Sequence, residues 1–337
     1  MNIEGLFDEV YEGFCYQNCL REILRYYKIP NYDFYINKSM STAMKIDKSG
    51  MYTIGYDDDA YGIISSCSDF VLRQDDLRES EQVLEEHLDY VKEDIPIVNC
   101  IDGFYLHYFP NNGKQHCRHS LLLIGEKTIE NSVTVLDWYT PHFYRGEVKK
   151  EDYLLARGSE NQKDGSIYSG EAIMNNWAIV QKEGWNKSIS ELAFETVDLS
   201  LKQYYEAQSD DANKYGIEVY RYLLKKFDEL LKSNILERKN EIKYMYQEMY
   251  GSVKRKVFFL HFLDMLSNEF HSNEKIVTVR EHMTVLVNSW NQYINMLLKS
   301  SFRGRDRDIE MLKSMLMENI ASEEALGDEI ALVRNSL

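Results

Sequence analysis

The chain has 337 residues, 44% of them hydrophobic and 28% charged, with a net charge of -16. That balance suits a globular protein too long for one ordinary core, so two domains are expected. The acidic charge argues against nucleic acid or an anionic membrane surface as a partner, and no apolar run reaches membrane-spanning length.

Helical spacing of Cys15, Cys19, Leu20, Ile23, Leu24 and Tyr27 predicts a helix after the small loop Glu12-Gly13-Phe14. Pro30 stops it. A second helix is expected over Ser80–Lys92, with Ser80 as N-cap and Val83, Leu84, His87, Leu88 and Val91 inward. Strands follow at 95–108, 120–124 and 133–138, with a Pro110-Asn111-Asn112-Gly113 turn between the first two and a hairpin turn at 126–131 between the others. A short helix at 150–157, a polar loop at 160–172 and a last strand at 177–181 complete this half. Helix first and antiparallel strands later is an α+β pattern. From about Ser188 only helices are predicted, at 190–206, 211–233, 235–248, 253–269, 277–299 and 306–321. All four prolines and all five cysteines lie within the first 141 residues. This shift in composition divides the chain into an α+β domain at 1–183 and an all-helical domain at 184–337.

The acidic opening MNIEGLFDEVYEGF lacks the basic and apolar parts of a signal peptide, so a cytoplasmic location is expected. The odd number of cysteines then suits reduced thiols better than disulfides. Three residues in order carry chemistry: Cys15 at a helix start, His119 opening an apolar strand, and Asp137 closing the next. A thiolate at a helix N-terminus is favoured by free N–H groups and the helix dipole. A histidine shares its proton, and a carboxylate fixes the histidine tautomer. Each residue alone has a plainer reading: Cys15 and Cys19 as core thiols, His119 as a capping group, Asp137 as a strand-end turn former. The hairpin is what brings His119 and Asp137 onto paired strands. Cys67, Cys100 and Cys117 are expected to be structural, with Cys117 a minor alternative nucleophile two residues from His119.

CYQNCLREILRYYKIP, followed by HSLLLIGE and VLDWYTPHFYRGEV, resembles the N-terminal domain of the butirosin-type acyltransferases of natural-product biosynthesis. The resemblance covers roughly the first half of the chain. It implies a papain-like cysteine-protease fold with an antiparallel sheet, and it maps nucleophile, base and orienting carboxylate onto Cys15, His119 and Asp137. It also implies amide formation, in which an acyl group passes from an acyl or peptidyl carrier protein to the cysteine and then to a small-molecule amine. No cofactor or metal is implied, and the helical domain is expected to cover or complete the substrate site. Two departures stand out. Glu9 occupies the place of an oxyanion-hole glutamine, leaving the Cys15 backbone N–H as the proposed donor, with Gln17 after the cysteine. The helix stops at Tyr26-Tyr27-Lys28, where the family has glycine.

Three other readings compete. An intracellular papain-like cysteine peptidase would use the same triad and the same thioester. A zinc site from Cys15, Cys19, His116, Cys117 and His119 has an uncommon ligand spacing. A binding module would use its basic runs, Lys254-Arg255-Lys256 and 303–307, to dock an acidic carrier, although such runs are usually solvated helix faces.

Overall fold

A computed structural model describes residues 1–6, 9–11, 14–55, 62–67, 70–139, 142–164, 166 and 168–337. Glu12 and Gly13 of the loop before Cys15, Thr140 and Pro141 after Asp137, and positions 165 and 167 of the polar loop lie outside the described residues. The principal elements in chain order are α1 (Cys15–Tyr26), β1 (Ala43–Ile46), β2 (Tyr52–Gly55), α2 (Gly62–Ser65), β3 (Phe70–Arg73), α3 (Ser80–Lys92), β4 (Ile97–Asp102), β5 (Arg118–Lys127), β6 (Ser132–Tyr139), β7 (His142–Lys149), α4 (Lys150–Arg157) and β8 (Trp177–Val180). They are followed by α5 (Ile189–Ser200), β9 (Asn213–Tyr215), α6 (Ile217–Leu230), α7 (Ile235–Glu269), α8 (Glu274–Arg303) and α9 (Asp306–Arg334). The chain is α+β, with antiparallel sheets and a helical C-terminal region. Among the described residues no helix is long and apolar enough to cross a membrane.

Two compact units result: Met1–Ile36 with Ala60–Lys187, and Asn37–Asp59 with Ser188–Leu337. The long stretch of the second unit begins at Ser188, where the expectation placed a boundary at 183/184. Ser188 marks the start of α5 with a capping box: its hydroxyl accepts from Glu191 N, and the Glu191 carboxylate accepts from Ser188 N at 2.7 Å. The excursion of 37–59 into the helical unit departs from the expected division. It follows from β9, which pairs with β1 (Ala43 opposite Tyr215) where a helix over 211–233 was expected. Gly216, at a φ of +52°, ends that strand. A Cβ there would lie 1.6 Å from the Tyr204 carbonyl oxygen, so no other residue fits.

In the first unit six antiparallel strands run in the order β3-β8-β4-β5-β6-β7. One face, with Ile97, Ile101, Leu121, Leu123, Val133 and Val135, packs against Val83, Leu84 and Leu88 of α3 and Tyr153 and Ala156 of α4. The alternate residues Val98, Leu122, Ile124 and Leu136 are equally buried, on the face where α1 packs with Leu20, Ile23 and Leu24. The strand expected to reach 108 stops at Asp102, because its carboxylate accepts from Phe104 N at 3.0 Å and turns the chain into a short 3-10 helix. Ser80 is the first residue of α3 and Glu79 its N-cap; the Ser80 hydroxyl instead donates to Asn175 Oδ1 at 2.8 Å.

The second unit holds the sheet β2-β1-β9 and so is not all-helical, and it corrects two further readings. The helices expected at 235–248 and 253–269 are one helix, α7. Gly251 costs it about 1 kcal/mol, but Met249, Ser252 and Val253 around it are buried and carry the helix through. The basic run Lys254-Arg255-Lys256 is not a solvated face: Arg255 is 0% and Lys256 1% exposed. Lys256 Nζ lies 2.7 Å from Glu323 Oε1 and 4.5, 4.9 and 5.2 Å from the ring centres of Tyr204, Tyr220 and Trp290. Tyr204 OH and Trp290 Nε1 both donate to Glu323. A charge this deep is tolerated because the carboxylate and the ring faces replace its water.

Candidate active site

Cys15 is the first residue of α1, so its N–H has no acceptor within the helix. Phe14 sits at the N-cap without a side-chain cap, which leaves the first-turn N–H groups for a negative charge at Cys15. The same helix ends with Lys28 in the left-handed region at a φ of +58°. Lys28 N and Ile29 N there donate to Arg25 O and Leu24 O. That conformation is the physical reason for a glycine at this place, and lysine adopts it at a cost of about 1–2 kcal/mol.

β5 and β6 form the expected hairpin, but not a regular one. Near the turn Gly125 faces Thr134; past a β-bulge at Ile124, Leu123 faces Val135 and Leu122 faces Leu136. Had the first register continued, Leu122 would face Asp137, and the carboxylate would point to the opposite side of the sheet from His119. The extra residue shifts the pairing by one, so Asp137 and His119 share a side. Gly125 permits the close approach: a Cβ there would stand 3.0 Å from Thr134 Oγ1. Pairing between β5 and β6 ends at Leu122–Leu136. Beyond it, side chains join the strands instead.

His119 Nε2 lies 2.5 Å from Asp137 Oδ1. Asp137 is fully buried, and its Oδ2 accepts from Tyr108 OH at 2.8 Å. The Tyr108 ring is stacked on Tyr144 at 3.7 Å, and Tyr144 OH donates to Glu147 O at 3.0 Å. Phe109 closes on the His119 ring at 5.1 Å. With Nε2 committed to the carboxylate, Nδ1 is the nitrogen left for Cys15, whose thiol hydrogen-bonds to His119 and to Ser120.

The electrostatics suit a thiolate–imidazolium pair. Burial alone would push the Cys15 thiol up; the charge and hydrogen bond of His119, with hydrogen bonds from Ser120, outweigh it and hold the thiol below its ordinary 9.0. Burial would likewise lower His119, but the Asp137 carboxylate and the Cys15 thiolate lift it well above 6.5. The thiolate form therefore persists below pH 9, down to the point where Cys15 takes its proton. Iodoacetamide should accordingly modify Cys15 rapidly near neutral pH, and in His119→Ala the rate should rise only at higher pH, as for an ordinary thiol. Peptide mass mapping across a pH series checks this; identical profiles would remove His119 from thiol activation.

The remaining cysteines differ from Cys15. Burial, then the nearby charges of Cys15 and Asp137, push Cys19 well above the ordinary thiol value. Burial pushes the Cys117 thiol up to about 11, which makes it a poor alternative nucleophile. Cys67 is buried. Cys100 is partly exposed and hydrogen-bonds to Arg118. His116 bonds Asp102 rather than joining Cys15, and among the described residues no group of three or more His, Cys, Asp or Glu is placed to hold a metal. Gln17 is buried, and the side chain of Glu9 lies outside the described residues.

Tyr108 and Ser120 are site residues that the sequence did not reveal. Tyr108 sits 29 positions from Asp137 in a stretch read as strand, and nothing local marks it. Replacing Asp137 by asparagine should slow turnover by about 10²–10⁴-fold, since an amide stabilises imidazolium poorly and favours the wrong tautomer. Tyr108→Phe should cost less, about ten- to hundredfold, because one charge-assisted hydrogen bond is worth roughly 1.5–3 kcal/mol. Steady-state rates with circular dichroism as a fold control check both; unchanged rates would detach these residues from the mechanism. No known family model matches the chain, and no curated protein matches it.

Proposed function

We propose that this protein is a cysteine-dependent, amide-forming acyltransferase with papain-like architecture in its first unit, acting in natural-product assembly. The relay from Tyr108 through Asp137 and His119 to Cys15, with the thiol held below its ordinary value, carries the reading. The resemblance of the Cys15 and His119 segments to butirosin-type acyltransferases supplies the substrate class. The narrower identity it suggests is the amide-forming enzyme of closthioamide assembly.

The Cys15 thiolate attacks the thioester carbonyl of an acyl or peptidyl carrier protein. The C–S bond of the donor breaks, and the imidazolium of His119 gives its proton to the departing thiolate. The Cys15 backbone N–H faces the developing oxyanion. An amine then attacks the Cys15 thioester, neutral His119 takes its proton, and Cys15 leaves as thiolate. Asp137 stabilises the imidazolium at both ends of the cycle.

Intact-mass analysis with acyl thioester donors should show one acyl group added per chain. Product analysis with and without amine then separates transferase from peptidase. Amide should outrun acid by at least about tenfold, given an acceptor pocket that favours amine over water. Equal hydrolysis in both cases, with no amide from diamines, amino acids or aminoglycosides, would make the cysteine peptidase the better reading.

A further inference from the structure

A cavity of about 740 Å³ lies between α3 and α4, a size that suits a small organic ligand. Its lining includes none of Cys15, His119 and Asp137. The apolar part of the wall includes Leu84, Leu88 and Leu154, the first two buried. Around it stand four carboxylates: Glu81, Glu85, Glu151 and Glu160. None of these four is in an ion pair among the described residues, whereas the nearby Glu86, Asp89 and Glu126 are paired with Arg78, Lys92 and Lys150. Lys150, the lysine of the lining, is thus already committed.

Two further groups in the wall also call for a hydrogen-bond donor. Asn161 is 0% exposed and gives its amide hydrogens to Tyr168 O and Glu171 O at 3.0 and 2.8 Å. Its Oδ1 is buried without a partner. An orphaned buried acceptor is costly unless something donates to it. His116 is held by Asp102, Nδ1 to Oδ2 at 2.6 Å, and stacked on Phe104 at 4.4 Å. Asp102 is itself fixed by Ser159 Oγ at 2.6 Å and by Cys117 N at 3.0 Å. The Asp102 carboxylate takes the Nδ1 proton in a hydrogen bond, so whenever the ring is neutral Nε2 is the acceptor.

We infer that this cavity binds an organic amine with an aliphatic or aromatic body. The hydrocarbon lies on Leu84, Leu88 and Leu154, and the ammonium group is taken by the carboxylates, Asn161 Oδ1 and His116 Nε2. An anion meets four unpaired carboxylates here and one lysine already held by Glu126, and a neutral alcohol leaves the carboxylates uncompensated.

The test uses three probes of one size, hexylamine, 1-hexanol and hexanoate, titrated by calorimetry into the full-length chain. Hexylamine should bind saturably, and the other two at least tenfold more weakly. The triple variant Glu81→Gln/Glu85→Gln/Glu151→Gln changes only exposed side chains and should weaken hexylamine by tenfold or more, while Glu93→Gln leaves it unchanged. Equal affinity for all three probes, wild-type affinity in the triple variant, or no saturable hexylamine binding would each overturn the proposal. The readout is binding, so it stands or falls separately from acyl transfer.

Discussion

Cys15→Ala should remove the acyl adduct altogether, and Cys19→Ala should leave it measurable. The two thiols are one helical turn apart yet differ in electrostatic setting. Cys15 heads the helix and meets an imidazolium, whereas Cys19 is fully buried beside two groups that are negative in the working state, the Cys15 thiolate and Asp137. A thiol pushed well above its usual value presents almost no thiolate near neutral pH. Loss of the adduct multiplies through the whole reaction, so this is the largest effect expected at the site. Mass analysis after incubation with acyl thioester reads it directly. If Cys19→Ala alone abolishes the adduct, the nucleophile is misassigned.

The largest effect expected on stability lies in the helical unit. Glu323→Ala removes the carboxylate that accepts from Lys256, Tyr204 and Trp290 together and leaves an ammonium buried. Stranding one member of a buried ion pair costs about 3–5 kcal/mol. For a unit of this size that lowers Tm by roughly 6–20 °C. The double variant Lys256→Met/Glu323→Leu should regain part of the loss, because no charge is then left unpaired. Calorimetry of both variants decides it. A single variant within about 1 kcal/mol of wild type would mean the lysine is solvated, which the cage of aromatic rings argues against.

Much of the candidate site was legible because its members are marked by position. A cysteine before a helical stripe, a histidine before an apolar run and an aspartate after one each stand at an element boundary, and boundaries here carry Pro30, a hairpin turn and strand ends. The bounds of α3 and α4 coincide with those expected, although Glu79 and not Ser80 is the N-cap of α3. What was not legible depends on long-range partners. Strands β1, β2 and β9 have only three or four residues each, too few to show a period, and β1 and β9 pair across more than 150 positions. Tyr108 looks like strand because nothing near it reveals that Asp102 turns the chain. The break assumed at Gly251 shows propensity losing to burial. The burial of Arg255 and Lys256 shows the converse, since a basic run gives no sign of the Glu323 that neutralises part of it 67 positions from Lys256.

The irregular hairpin makes the His119–Asp137 contact depend on how its two arms are counted. Removing Ile124 would leave Leu123 opposite Val135 and Leu122 opposite Leu136, so the hairpin would become regular and Asp137 would stay on the side of His119. Any other single length change between the turn and either residue turns the carboxylate away while the bulge persists, and keeps it in place once the bulge is lost. Length changes here are therefore survivable where the bulge goes with them, and descendants of this chain that keep the contact should differ by a residue and a bulge together.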